Sequence, residues 1–340
     1  MQAKQIVFTR MNHAELLEVT VAPLGTHDVM VKTEVSTISP GTERANITGD
    51  PNVVATGRPG VSFPRTSGYS SAGVVVEVGS EVKSVAVGDR VVVYWGKHCT
   101  YNVVDEKNIV KIEHDQVSCE TAAISFIASF PMAAIRKTRL EMGESAMVMG
   151  LGLLGILAVK ELRLAGAIPI IAVDPNPERR DLALRCGADY AFDPFEANFA
   201  DKVKVATGGG VKVAIEVTGV GAGFNEALDC MAKFGRVSLL GCTRNADFSV
   251  DYYRKIHAPG ITVIGAHTIA RPEEESHAGW FTHADDIKAI LSLCAGGRLC
   301  LEDIVGETHT PEECTEVYDR LITDRTFPVA VQFDWRKEGK

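Results

Sequence analysis

The sequence predicts an α/β protein with two parts, a β-rich domain and a doubly wound parallel sheet. Three observations predict it. Residues 1 to about 125 are rich in β-branched residues broken by glycine and proline turns, as in a compact all-β unit. From about residue 126 apolar strand signals alternate with helical ones, which implies parallel strands with helices on both faces. Near the head of that second region stands Gly150-Leu151-Gly152-Leu153-Leu154-Gly155, between an apolar stretch at Ala146 to Met149 and a helical stretch at Ile156 to Leu164. A length of 340 residues suits two domains.

In the β-rich part, Met1 to Arg10 reads as an opening strand. Val29 to Ser36, Ala72 to Val78 and Arg90 to Val93 read as further strands, with Gly88-Asp89 as a turn. In the alternating part, strand signals fall at 146–149, 169–173, 213–217, 236–240 and 261–264, with helices at Pro177 to Cys186 and Gly223 to Lys233 between them. A polar stretch, Arg271 to Gly279, reads as a surface loop. Helices follow at Ala284 to Gly296 and Pro311 to Thr323, then a last strand at Val329 to Phe333.

Each glycine of the turn has a physical task. Gly150 permits a tight strand-to-helix turn, Gly152 lets backbone approach a pyrophosphate, and Gly155 lets the helix pack closely on the sheet. The helix start at Leu153, Leu154 and Gly155 offers unpaired N–H groups and a partial positive charge to phosphates. Asp174 ends the next apolar run, nineteen residues beyond Gly155. That is the position of the acid that holds an adenosine ribose, so the pattern implies a bound dinucleotide. The charge of Asp174 repels a 2′-phosphate and favours NAD(H) over NADP(H). Arg179 and Arg180 point the other way, unless they are solvated at the start of their helix.

Composition narrows the function classes. The formal net charge is −9 and no basic cluster stands out, which argues against nucleic acid and against an anionic membrane surface. The longest apolar run, Ala146 to Val159, holds three glycines and is too short to span a bilayer. The N-terminus lacks a secretory signal pattern, so a cytoplasmic location is expected. The eight cysteines form no C-x-x-C pair and read as free thiols.

Further motifs carry a family resemblance. They are Gly68-Tyr-Ser-Ser-Ala-Gly73 leading into Val74-Val-Val-Glu-Val-Gly79, then Val87-Gly-Asp-Arg-Val91, the glycine turn with Asp174, and Gly187-Ala-Asp189. Thr218-Gly219 and Phe234-Gly-Arg-Val237 with Gly241 complete the set. With these the chain resembles the medium-chain dehydrogenase/reductase (zinc alcohol dehydrogenase-like) superfamily over nearly its full length. The resemblance implies a GroES-like catalytic domain at 1–125 and 268–340, a Rossmann cofactor domain at 126–267, and a homodimer or homotetramer. It also places Thr218, Gly241, Ala266 and His267 on the cofactor side, and adds Arg179 beside Asp174.

The departures from that family are informative. Zinc members carry a cysteine where this chain has Pro40, a histidine where it has Tyr69, and a third ligand near Ser125-Phe126. The lobe with four clustered cysteines is absent. A catalytic zinc needs three converging N, S or O ligands, so no metal is expected. Protein donors must then stabilise the developing alkoxide and move its proton. Thr42 occupies the hydroxyl position that relays the substrate proton in zinc members, or else serves its own turn. Tyr69 either donates to a substrate oxygen or fills the vacated metal space. Glu43 is expected to hydrogen-bond Tyr69 or another donor beside it, as a base or as a structural carboxylate. His98 carries an imidazole, the commonest side chain for acid–base work, and is a candidate for proton transfer.

The expected function is therefore zinc-independent, NAD(H)-dependent interconversion of a secondary alcohol and its ketone. The polar inventory of Thr42, Glu43, Tyr69, Lys97, His98 and His267 suggests a polyol, sugar or sugar derivative as the small hydroxyl or carbonyl substrate. The alternatives are an NAD(P)H-dependent enoyl or quinone reductase, against which Asp174 argues, and a non-catalytic dinucleotide-binding member.

Overall fold

The computed structural model describes residues 1–50, 52, 61–243, 245 and 247–337. It divides the chain into two compact units, Met1–Ile127 with Ile287–Lys340, and Ala128–Asp286.

The second unit is built on six parallel strands: Ala146–Met149, Ile170–Val173, Tyr190–Phe192, Val211–Glu216, Met231–Leu239 and Thr262–Gly265. In space their order is third, second, first, fourth, fifth, sixth. This is the doubly wound dinucleotide-binding order, with its topological switch point between the first and fourth strands. The inner strands read as unbroken apolar runs because both faces are covered. Met147, Ile171, Val173, Ala214 and Val237 are all fully buried. The fifth strand begins at Met231, well before the sequence signal at 236, so the preceding helix Gly221–Asp229 stops short of Lys233. Two elements go beyond the sequence reading, the strand Tyr190–Phe192 and the helix Phe199–Thr207, which docks through Phe199 and Val203.

This unit ends after Asp286, not after His267. The reason is electrostatic. Arg271 Nη1 donates to Asp286 Oδ2 at 2.7 Å, Arg136 Nε donates to Asp286 Oδ1 at 2.8 Å, and Arg271 Nη2 donates to the Ser129 carbonyl. Lys137 Nζ donates to the Ala270 carbonyl at 2.7 Å. The polar stretch after His267 is thus clamped to the helix Cys119–Thr138 by buried charge.

The first unit contains a three-stranded antiparallel sheet, His13–Thr20, Gln2–Arg10 and Arg65–Thr66, and a seven-stranded one. The path of the larger sheet runs Val305–His309, Ala330–Asp334, Asp28–Thr37, Ser70–Val78, Arg90–Tyr94 and Ile109–Lys111, with Tyr101–Asp105 also paired to Asp28–Thr37. Alternate valines of the central strands (Val29, Val31, Val75, Val91 and Val93) make one core. Ile6, Phe8, Ile38, Ile47, Tyr318, Phe333 and Trp335 belong to a second. Among the described residues no helix is long and apolar enough to cross a membrane.

Candidate active site

In the parallel-sheet unit the glycine turn has the geometry its sequence implies. Gly150 has φ +99°, and a Cβ on Gly155 would lie 1.9 Å from the Gly150 carbonyl oxygen. Gly152 opens the helix Leu153–Leu164 with no side-chain cap, and a Cβ there would meet nothing within 4 Å. The first-turn N–H groups of Leu153, Leu154 and Gly155 therefore remain available to an anion.

Asp174 is buried at the end of its strand. Its Oδ2 accepts from Leu151 N–H at 2.8 Å and its Oδ1 from Asn176 N–H at 2.8 Å, which fixes the carboxylate against the glycine turn. Each oxygen keeps a lone pair for a ribose hydroxyl. Arg179 Nη1 stands 3.9 Å from Asp174 Oδ2. Arg180 instead donates to the carbonyls of Asp174 and Pro175 at 2.7 and 3.0 Å and lies 3.4 Å from Asp193.

At the ends of the fourth and fifth strands two turns meet backbone to backbone. A Cβ on Gly219 would lie 2.3 Å from the Cys242 carbonyl oxygen, and one on Gly241 would lie 2.5 Å from the Gly219 nitrogen. The hydroxyl of Thr218 serves its own turn. It donates to Glu216 Oε1 and accepts from Val220 N–H at 3.0 Å. Glu216 is structural, as its place inside a strand suggests: burial pushes its carboxyl up, and hydrogen bonds from Thr218 and Gly219 pull it part of the way back. Ala266 N–H closes on the Leu239 carbonyl at 3.0 Å, and His267 Nδ1 accepts from Ile269 N–H at 3.3 Å. Lys137 Nζ lies 3.4 Å from the Gly265 carbonyl oxygen and 4.6 Å from the centre of the Trp280 ring. Burial pushes the Lys137 ammonium down to about 8.

In the β-rich unit, Thr42 and Glu43 ride on the short helix Pro40–Ile47, whose proline occupies the first turn where no N–H is needed. Thr42 is half-buried, and its carbonyl accepts from Asn46 Nδ2 at 2.8 Å. Glu43 is buried. Its carboxylate accepts from Ser39 N–H at 2.9 Å and Tyr318 Oη at 2.5 Å, with His98 Nε2 at 3.2 Å. Burial drives the Glu43 carboxyl up. The electrostatic pull of His98 and the hydrogen bonds from His98, Tyr318 and Ser39 outweigh it and hold the group below its ordinary value.

The donors that Glu43 finds are thus His98 and Tyr318. Tyr69 lies instead in an aromatic group, its ring 5.8 Å from Trp95 and 5.7 Å, edge on, from Phe126. His98 is 0% exposed, packed edge-on to Phe333, and so offers no surface to a substrate. Sequence reasoning missed Tyr318, Ser36, Ser67 and Trp335, all of which join this network. Tyr318 shares its helix with the buried Cys314, Val317 and Leu321 and carries no local signal beyond that of a core aromatic.

The alcohol dehydrogenase GroES-like domain model matches residues 25–127, and the zinc-binding dehydrogenase model matches 154–282. L-threonine 3-dehydrogenase of Pyrococcus furiosus is 30% identical over 289 residues, 74% of this chain and 79% of that protein. The chain belongs to the medium-chain dehydrogenase/reductase family. A further relative in that family is D-guloside 3-dehydrogenase of Escherichia coli, 26% identical over 77% of this chain and 75% of the relative. Among solved structures, 2R,3R-butanediol dehydrogenase from Bacillus subtilis superposes with a TM-score of 0.82 at 24% identity, covering 98% of this chain and 99% of its own.

The medium-chain dehydrogenases named for zinc imply a metal that the residues present here do not fit. Pro40 has no ligating side chain, and Ser125 spends its hydroxyl on the Ala122 carbonyl at 2.6 Å. Among the described residues no group of three or more His, Cys, Asp or Glu side chains could hold a metal ion. In the β-rich unit, burial pushes the thiols of Cys99 and Cys119 up to about 12 and 11, whereas a metal takes the thiolate.

Proposed function

We propose that this medium-chain dehydrogenase is zinc-independent and uses NAD(H) to interconvert a secondary alcohol, of polyol, sugar or sugar-derived type, and its ketone. The observation that carries the reading is the Asp174 carboxylate, bonded to Leu151 N–H at 2.8 Å beside an uncapped helix start. Such a turn takes the pyrophosphate on the helix N–H groups and the ribose hydroxyls on the acid. The fixed negative charge favours NAD(H) over its 2′-phosphorylated form. The relatives named as dehydrogenases of threonine, butanediol and a guloside support the alcohol half of the reading.

When bound, the nicotinamide supplies a carbon that accepts hydride from the carbinol. Thr42 hydrogen-bonds the substrate hydroxyl and relays its proton, accepting it while passing its own hydroxyl proton on toward the ribose that a bound cofactor would present. Tyr69 keeps its phenol proton and donates a hydrogen bond to the same oxygen as negative charge develops. Glu43 and His98, being buried, support Thr42 from behind. A positioned proton acceptor contributes about 10²–10⁴-fold, so Thr42→Val is expected to lower kcat by about that factor, with Thr42→Ser retaining most of it. A homodimer or homotetramer belongs to the same reading.

The test is a panel of polyols, sugars and secondary alcohols with NAD⁺ and NADP⁺ in parallel, followed at the NADH absorbance before and after chelation. Turnover with NAD⁺ that survives the chelator is the expected result. Activity abolished by chelation and restored by zinc refutes the metal-free mechanism. Faster reduction of enoyl or quinone substrates with NADPH refutes the alcohol assignment.

A further inference from the structure

Glu43 lies at the centre of a buried hydrogen-bonded chain that reaches well beyond Thr42. On one side the Tyr318 hydroxyl donates to Glu43 Oε2 at 2.5 Å and also hydrogen-bonds the Ser67 side chain. On the other side His98 Nε2 faces the same carboxylate at 3.2 Å, while Nδ1 meets Ser36 Oγ at 2.7 Å. Ser36 Oγ in turn accepts from Trp335 Nε1–H at 2.9 Å. The Glu43 carboxylate only accepts, so the proton that faces it is carried by His98 Nε2.

These bonds join two stretches that are apart in sequence. Residues 39–43 carry Thr42, and residues 67–69 carry Tyr69. The His98 N–H donates to the Ser67 carbonyl at 2.9 Å, and a Cβ on Gly68 would lie 2.4 Å from the His98 nitrogen, so the second stretch sits directly on His98. Tyr318, like His98, touches both stretches, through Ser67 and through Glu43. It is 0% exposed, so it does not reach a substrate itself.

We propose that Tyr318 is a positioning residue: through Glu43 and Ser67 it holds the Thr42 turn against the Tyr69 turn, and so fixes the two hydroxyls that alcohol oxidation requires. The role in turnover rests on the function proposed above, and the tether itself does not.

The experiment compares wild type, Tyr318→Phe and Ser67→Ala by amide hydrogen exchange and by kinetics. Losing a buried hydrogen bond to a charged group corresponds to about tenfold or more. Amides of residues 41–47 are expected to exchange about tenfold faster in Tyr318→Phe and severalfold faster in Ser67→Ala, with the parallel-sheet unit unchanged. With whichever substrate of the panel turns over, kcat is expected to fall about tenfold in Tyr318→Phe, with KM for NAD⁺ unaltered. In a Thr42→Val background the same substitution is expected to lower kcat by a clearly smaller factor. Unchanged exchange in 41–47 overturns the tether. An equal loss of kcat with and without Thr42 overturns positioning and leaves a general structural role. If wild type turns over no alcohol with NAD⁺, the functional reading fails while exchange still decides the tether. If Tyr318→Phe does not fold, Ser67→Ala supplies both measurements from the other end of the bridge.

Discussion

Replacing Glu161 with glutamine is expected to stabilise the parallel-sheet unit by an amount that grows with pH. Glu161 lies on the helix Leu153–Leu164, is 4% exposed, and neither carboxyl oxygen has a hydrogen-bond partner among the described residues. Burial pushes its carboxyl well above the ordinary value of 4.5. Asp286 adds to the push, and Arg136 and Arg271 oppose it. The folded protein therefore keeps a proton that the unfolded chain gives up above its own pKa. In that window the native state binds more protons, so stability falls as pH rises, by about 1.4 kcal/mol per unit. From pH 5 upward wild type is expected to lose stability steadily relative to Glu161→Gln, which cannot ionise, until the buried carboxyl itself ionises. Below pH 4 the two are expected to converge. The assay is urea unfolding followed by circular dichroism at pH 4, 5, 6 and 7. A difference between the two proteins that stays constant across the series refutes the reasoning, because it means that Glu161 is ionised in the fold.

Other outcomes follow from the dinucleotide turn. Gly155→Ala forces a methyl group to within 1.9 Å of a carbonyl oxygen, so it is expected to lower stability by at least about 1–3 kcal/mol and to abolish NADH binding in a fluorescence titration. Gly152→Ala has open space and is expected to fold normally, with weaker NADH binding as the only loss. Asp174→Ser is expected to move the NADH to NADPH affinity ratio at least tenfold toward NADPH, with Arg179 left 3.9 Å from the former carboxylate position; an unchanged ratio means that the acid does not read the ribose.

The glycine turn was legible because its constraints are local. Gly150 and Gly155 are set by a positive φ and by a contact within six residues, and both are written in one stretch of sequence. The central strands were legible for a similar reason, since burial on both faces demands continuous apolar runs. Tyr190–Phe192 was not, because a three-residue edge strand with an exposed tyrosine has no periodicity to read. The place where the chain returns to the first unit depends on Arg271 finding Asp286 and Ser129, partners distant in sequence. The catalytic-side residues failed to separate in the same way. His98 reads as an accessible imidazole until Ser36, Glu43 and Phe333 close around it, and nothing near His98 in sequence announces them. Tyr69 was readable as a replaced ligand, but its aromatic neighbours Trp95 and Phe126 come from two other segments.

The indole at the end of the Trp335–Ser36–His98 chain gives the protein its own optical reporter. Trp335 is 3% exposed, whereas Trp95 and Trp280 are 41% and 36% exposed. Its emission should lie to the blue of theirs and persist when acrylamide has quenched the other two. Any event that loosens the interior around His98 would then register as a red shift of that shielded component, in intact protein and without an added dye.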